Sequence, residues 1–143
     1  MIDVNFQHSG SALQESWIQE IVRTVLEGES SRFEGSLSVV ITDDQYIQKL
    51  NEQFFGRDRP TDVIAFPLDD SGDDLWGELY VSIDRAEAQA AEYHVSVPEE
   101  TARLLVHGVL HLHGYDDLDR SSKERMSGRE DHYLAFFKSN GLL

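Results

Sequence analysis

Apolar and polar residues alternate through IDVNFQ, residues 2 to 7, the period of a strand with one buried face. The stretch SGSALQESWIQEIVRTVLEGE, 9 to 29, switches to helical spacing, with Leu13, Trp17, Ile21 and Val25 flanked by Ile18 and Val22, and it predicts a helix ending at Gly28. GSLSVVIT, 35 to 42, reads as a second strand, and DDQYIQKLNEQFF, 43 to 55, as a helix with Tyr46, Ile47, Leu50 and Phe54 on one side. TDVIAFPL, 61 to 68, and LWGELYVSI, 75 to 83, are two further strands; DDSGDD between them suits an exposed turn, so a hairpin is expected. The alanine-rich DRAEAQAAEYHV, 84 to 95, is helical. Ser96 followed by Glu99 is a capping-box pattern that opens the helix ETARLLVHGVLHLH, 100 to 113, and Gly114 should stop it. A last helix covers roughly 121 to 138, carrying Met126, Tyr133, Leu134, Phe136 and Phe137. The order is βαβα, then a hairpin, then helices.

The length of 143 residues suits one domain spanning 1 to 143, with no internal repeat, linker or low-complexity segment. Hydrophobic residues make up 40% of the chain, an ordinary share for a folded globule. No apolar run approaches the roughly 20 residues needed to span a bilayer, and MIDVNFQHSG lacks a basic start and apolar core. A cytoplasmic protein without membrane partners is therefore expected. There are no cysteines, so any metal must be held by histidine and carboxylate. Twelve Lys and Arg stand against 27 Asp and Glu, a net charge of −15 that repels polyanions at long range unless a local basic groove overcomes it.

The chemistry gathers in HGVLHLHGYDD, residues 107 to 117. Four residues make just over one helical turn, so His107 and His111 project from one face and their rings can meet at one point. Gly114 lets the chain leave the helix and turn back, which can bring Asp117 to that point as a third ligand; Asp116 and Asp119 are the alternatives. Paired helical histidines usually face solvent or are buried rings bonded to a carbonyl. Here Leu104, Leu105, Val106, Val109, Leu110 and Leu112 make the helix apolar almost all round, and two buried imidazoles need partners that a metal would provide. Three protein ligands would leave a zinc ion one open position for water. His113 points elsewhere and suits the helix end; His94 and His132 have no evident partner, and His8 stands beside a helix start.

The spacing is that of a zincin-like metal helix, but Gly108 occupies the place where a metallopeptidase of the H-E-x-x-H type keeps its general base. Glycine accepts no proton. What remains is a Lewis acid and its water, suited to charge developing on phosphoryl oxygens, with no protein base assigned.

HGVLHLHGYDD resembles the H-G-x-L-H-L-x-G-Y-D-H signature of the bacterial YbeY family of rRNA maturation factors. LNEQFFGRDRPTDVIAFP, 50 to 67, is similar to a second block of that family, L-N-x-x-[FY]-R-x-x-D-x-x-T-D-V-L-S-F-P, and GELYVSIDRAEAQA to a third. The resemblance implies an α+β fold, a small mixed sheet of about four strands packed with about five helices. It implies a zinc-dependent single-strand endoribonuclease acting in small-subunit (16S) rRNA maturation and ribosome quality control, with single-stranded rRNA and the small ribosomal subunit or its proteins as partners. Two departures stand out. The family's third zinc histidine aligns with Asp117, which can still ligate but lowers the net charge of the centre and could favour a harder ion such as Mn²⁺ or Fe²⁺. Phe55 stands where the resemblance implies an RNA-binding arginine; Arg57 and Arg59, two and four residues on, are the candidate phosphate binders and equally suit a solvated turn. Thr61 and Asp62 match the family's T-D and suit a structural role at the start of a strand. The acidic balance implies weak RNA affinity and a ribosomal partner that presents the strand. Other readings are a ribosome-assembly binding factor with a structural metal and little nuclease activity, and a divergent metallohydrolase or peptidase.

Overall fold

A computed structural model describes residues 1–7, 13–29, 35–68 and 76–143. Among the described residues the chain runs β1 (Ile2–Phe6), α1 (Glu15–Glu29), β2 (Ser36–Thr42), α2 (Asp44–Phe55), β3 (Val63–Pro67), β4 (Trp76–Ser82), α3 (Ile83–Tyr93), α4 (Val97–Leu112) and α5 (Arg120–Ser139). The four strands form one mixed sheet in the order β1-β2-β4-β3. β2 pairs in parallel with both β1 and β4, while β3 runs antiparallel to β4 with Val63 opposite Val81 and Pro67 opposite Gly77. This is the small mixed α+β sheet that the sequence resemblance implied. The hairpin is present as a strand pair; its turn, 69 to 74, lies outside the described residues, as does His8.

Local chemistry explains the elements. β2, SLSVVIT, buries Leu37, Val39, Val40, Ile41 and Thr42, as a central strand flanked by parallel neighbours requires. Asp43, Ser82, Ser96 and Asp119 are the N-caps of α2, α3, α4 and α5, each accepting a backbone N–H of the first turn. α4 packs through Leu104, Leu105, Val106, Val109 and Leu110 into the main core. Its Gly108 lies close against the sheet: a Cβ there would come within 2.8 Å of Leu79 Cδ2 and 3.2 Å of Val63 Cγ2. The position that a peptidase would fill with glutamate is therefore turned into the sheet.

Several boundaries and faces differ from the pattern-based expectation. α1 starts at Glu15 and passes through Gly28; Leu13 precedes it and packs against the core from the incoming chain. Trp17 is only partly buried, and its indole N–H donates to the Leu142 carbonyl at 2.9 Å. α4 begins at Val97, since Pro98 in its first turn needs no donor. In α2 the buried residues are Ile47 and Asn51, while Tyr46 and Phe54 are 37% and 55% exposed. α2 lies at the β3 side of the sheet, where its aromatic rings meet Phe66 and Tyr80 from outside. α5 turns Met126, Glu130, Tyr133, Leu134 and Phe137 inward, a stripe that leaves Phe136 47% exposed.

Candidate metal centre

The last two turns of α4 carry His107 and His111 with ring centroids 4.7 Å apart and planes at 77°. Their Nε2 atoms face each other at 3.1 Å. His107 is held from behind, its Nδ1 2.9 Å from Glu130 Oε2 on α5. Without a metal one Nε2 donates to the other; with neither Nε2 protonated, both turn a lone pair toward one place. Two nitrogens about 2.0–2.1 Å from a tetrahedral zinc ion stand roughly 3.3 Å apart, close to the separation found.

The third donor arrives from the bend after α4. Gly114 has φ +92°, which reverses the chain at a residue without a Cβ. Tyr115 then anchors the bend: its hydroxyl donates to Glu29 Oε1 at 2.6 Å, and the Arg125 guanidinium lies 4.8 Å over its ring. Asp117 Oδ2 comes to 3.8 Å from His107 Nε2, and donor atoms of His107, His111 and Asp117 all lie within 4.8 Å of one another. These three residues could hold a metal ion. The carboxylate stands further out than the rings and is 43% exposed, so it has room to close. The alternative acids are occupied: Asp116 accepts the Leu118 N–H and Asp119 caps α5. His113 Nδ1 lies 3.0 Å from the Val109 carbonyl at the helix end. His94 closes α3 in a left-handed conformation, and His132 packs edge-on against Tyr133.

Electrostatics separates the two imidazoles. Burial would depress the His107 pKa, but the hydrogen bond and charge of Glu130, with Asp62 and Asp117 behind them, outweigh it and leave it raised. Burial and the neighbouring His107 lower that of His111, the form a metal needs. Glu130 is braced in turn by Arg103, whose Nη1 lies 3.7 Å from Glu130 Oε1 and 3.6 Å from Asp131 Oδ1.

A groove of about 480 Å³ opens beside His111, walled by Phe55, Arg57, Thr61, Ala65 and Leu118 among others. Arg57 thus shares a cavity with His111. Arg59 does not; it lines an adjoining cavity of about 370 Å³ together with Arg57, Asp62 and Arg85. Neither Arg57 nor Arg59 has an ion-pair partner among the described residues, whereas Arg85 is engaged by Asp44 at 3.1 Å. The loop bearing both arginines is tied down by Asn51, whose Nδ2 donates to the Arg59 carbonyl at 2.9 Å. Asp62 accepts the Val63 N–H at 2.8 Å and Gln89 Nε2 at 3.2 Å, the strand-starting role expected of it.

Pattern reading missed Glu130, Asn51 and the Glu29–Tyr115 tether. Glu130 had a signal: a carboxylate on the apolar stripe of a helix, four residues after Met126, must find a buried partner.

A mixed sheet crossed by a helix that aims two imidazoles, and a carboxylate beyond them, at one point defines an α+β domain with a candidate divalent-metal centre. The family model described as endoribonuclease YbeY matches residues 3–138. Over 137 residues the chain is 33% identical to the endoribonuclease YbeY of Flavobacterium johnsoniae, covering 96% of this chain and 97% of that protein. It is 36% identical over 129 residues to that of Chlorobaculum tepidum, covering 90% and 93%. A solution structure of a Thermotoga maritima protein superposes with a TM-score of 0.66 at 30% identity, covering 99% of this chain and 95% of that one. The chain belongs to the endoribonuclease YbeY family.

Proposed function

We propose that residues 1–143 are one metal-dependent hydrolase domain, a single-strand endoribonuclease that acts in the cytoplasm in 16S rRNA maturation and ribosome quality control. Family membership supports the nuclease role. The observation that carries the metal reading is the pair of Nε2 atoms 3.1 Å apart, with the Asp117 carboxylate within 4.8 Å of them and His107 Nδ1 already bound to Glu130. His107, His111 and Asp117 would hold one divalent ion, zinc first, with Glu130 fixing the His107 ring. When bound, that ion supplies Lewis acidity toward a phosphoryl oxygen and a water molecule. Arg57, in the groove with His111, is placed to pair with a phosphate beside the scissile bond; Arg59 would meet the strand from the adjoining cavity. Gly108 faces Leu79 and Val63, so a peptidase base has no place there. With few cations to attract the strand, the small ribosomal subunit or one of its proteins would present it. No helix among the described residues is long and apolar enough to cross a membrane.

A second reading, an assembly factor with a structural metal and little nuclease activity, draws on the outlying, half-exposed Asp117 and on Phe55 in place of an arginine. Metal content and cleavage of single-stranded RNA, measured for the native protein and Asp117→Ala, separate the two. Metal and cleavage that both fall in the variant support the enzyme. Metal without cleavage in the native protein supports the assembly factor, and a native protein that takes up no metal refutes both.

A further inference from the structure

Phe55 ends α2 immediately before the left-handed Gly56, and its ring is 52% exposed. One face lies nearly parallel to Phe66, with centroids 5.8 Å apart and planes at 8°. Phe66 is itself wedged edge-on by Phe54 at 5.1 Å and Tyr80 at 5.9 Å. The ring is thus held by packing while the rest of its surface is open. It lines the groove that also contains Arg57 and His111.

A fixed aromatic face beside an unpaired guanidinium offers what a single-stranded nucleotide presents: a flat base to stack and a phosphate to pair. A base in a duplex has both faces covered and cannot use such a platform. Stacking also suits this chain's electrostatics. Its net charge of −15 weakens the phosphate attraction on which nucleic-acid affinity usually rests, whereas stacking of a neutral base does not depend on that charge.

We infer that Phe55 is the base-stacking residue of the substrate groove: it holds an unpaired nucleobase of the RNA against its open face while Arg57 meets an adjoining phosphate, and so selects single strands. The inference rests on the endoribonuclease reading for the identity of the strand. The same aromatic patch, continued by Phe54 at 55% and Leu68 at 45% exposure, could alternatively seat an apolar protein surface. The groove it shares with His111 and the unpaired Arg57 favours RNA.

The test is fluorescence anisotropy of a labelled oligoadenylate, and of an abasic ribose-phosphate strand of equal length, against native protein, Phe55→Ala, Phe55→Leu and Phe55→Trp. Metal content and far-ultraviolet circular dichroism of each variant serve as folding controls. Alanine and leucine should both weaken oligoadenylate binding about tenfold or more, and tryptophan should restore it. The abasic strand should bind native protein and Phe55→Ala alike, and the salt dependence should be the same for all four proteins. Leucine binding as well as phenylalanine, an abasic strand as sensitive to Phe55→Ala as the oligoadenylate, or no oligoadenylate binding by native protein would each overturn the inference, the first in favour of an apolar protein partner. A native protein that lacks metal and cleavage yet keeps the stacking pattern would refute the enzyme reading and leave Phe55 as the strand-binding residue of a non-catalytic factor.

Discussion

Two polar clusters flank the bend after α4, and they are built on opposite rules. On one side Glu29, from α1, has a carboxylate 7% exposed that accepts from Tyr115 at 2.6 Å, from Arg129 at 2.6 Å and from the Tyr133 hydroxyl. Both tyrosine hydroxyls and Arg129 Nη2 donate within the cluster, while the buried Arg129 Nε has no partner among the described residues. On the other side ring nitrogens of His107 and His111 and a carboxylate oxygen of Asp117 converge within 4.8 Å, the two rings within hydrogen-bond distance of each other and the carboxylate further out. A closed network fixes geometry; two imidazoles and a carboxylate converging on one point form a donor set that suits a cation. The bend joining them makes the first cluster the mounting of the second, since the tether on Tyr115 sets where Asp117 lies.

Breaking the closed cluster should have the larger effect. Glu29→Ala leaves two tyrosine hydroxyls and a guanidinium without their acceptor and should cost about 3–5 kcal/mol, read by urea unfolding in the absence of metal. His111→Ala should change that metal-free stability far less while abolishing metal uptake. Equal losses would show that both clusters are structural. The pH dependence has a definite sign. Burial would raise the Glu29 pKa, but the hydrogen bonds from Tyr115, Tyr133 and Arg129 hold it at about 2 instead of 4.5. A depressed carboxylate stabilises the fold above its unfolded pKa, so about 3 kcal/mol should be present above pH 4.5 and drain away as pH falls toward 2. Glu29→Ala should remove that slope.

What could be read beforehand was what lies close together along the chain. His107, His111, Gly114 and Asp117 lie within eleven residues, so helical spacing and one turn signal place them without knowledge of the fold. The strands and helices followed from periodicity for the same reason. Glu130 is 23 residues from His107, and Glu29 is 86 residues from Tyr115. Those pairings depend on which way α5 runs and on where α1 packs, which no local pattern encodes. Phe55 illustrates a different limit: a helix at the β3 side of the sheet keeps an apolar pattern while part of its aromatic surface stays outside.

Glu100 sharpens the contrast, being a carboxylate in the position Glu29 would occupy without its donors. It is 2% exposed, its Oε1 has no hydrogen-bond partner, and the nearest cation, Arg103, stands off at 3.7 Å. Burial raises its pKa to about 6, with Asp62 and Glu130 adding to the shift and Arg103 opposing it. Here the folded state holds the proton more tightly, so stability should fall, by about 2 kcal/mol in all, as pH rises from 4.5 through 6. Glu100→Gln should therefore stabilise the protein at neutral pH and flatten this part of the profile. Unfolding midpoints that rise between pH 5 and 7 in the native protein, and are insensitive to the glutamine, would contradict the assignment.

The smallest effect tests the joint itself. A side chain at Gly114 would meet nothing within 4 Å, so Gly114→Ala introduces no clash, only the strain of φ +92° on a residue with a Cβ. The expected cost is about 1–2 kcal/mol, and its destination is informative. The Tyr115 hydroxyl is held to Glu29 by a short bond, while Asp117 is half exposed and bonded to no neighbour by a short contact. Strain should therefore leave through the looser end, displacing Asp117 more than Tyr115. Metal affinity measured by competition with a chelator should fall several-fold, and the Glu29-dependent slope below pH 4.5 should stay in place. Loss of that slope with metal affinity intact would reverse the order of stiffness, and with it the claim that the closed cluster is the mounting for the open one.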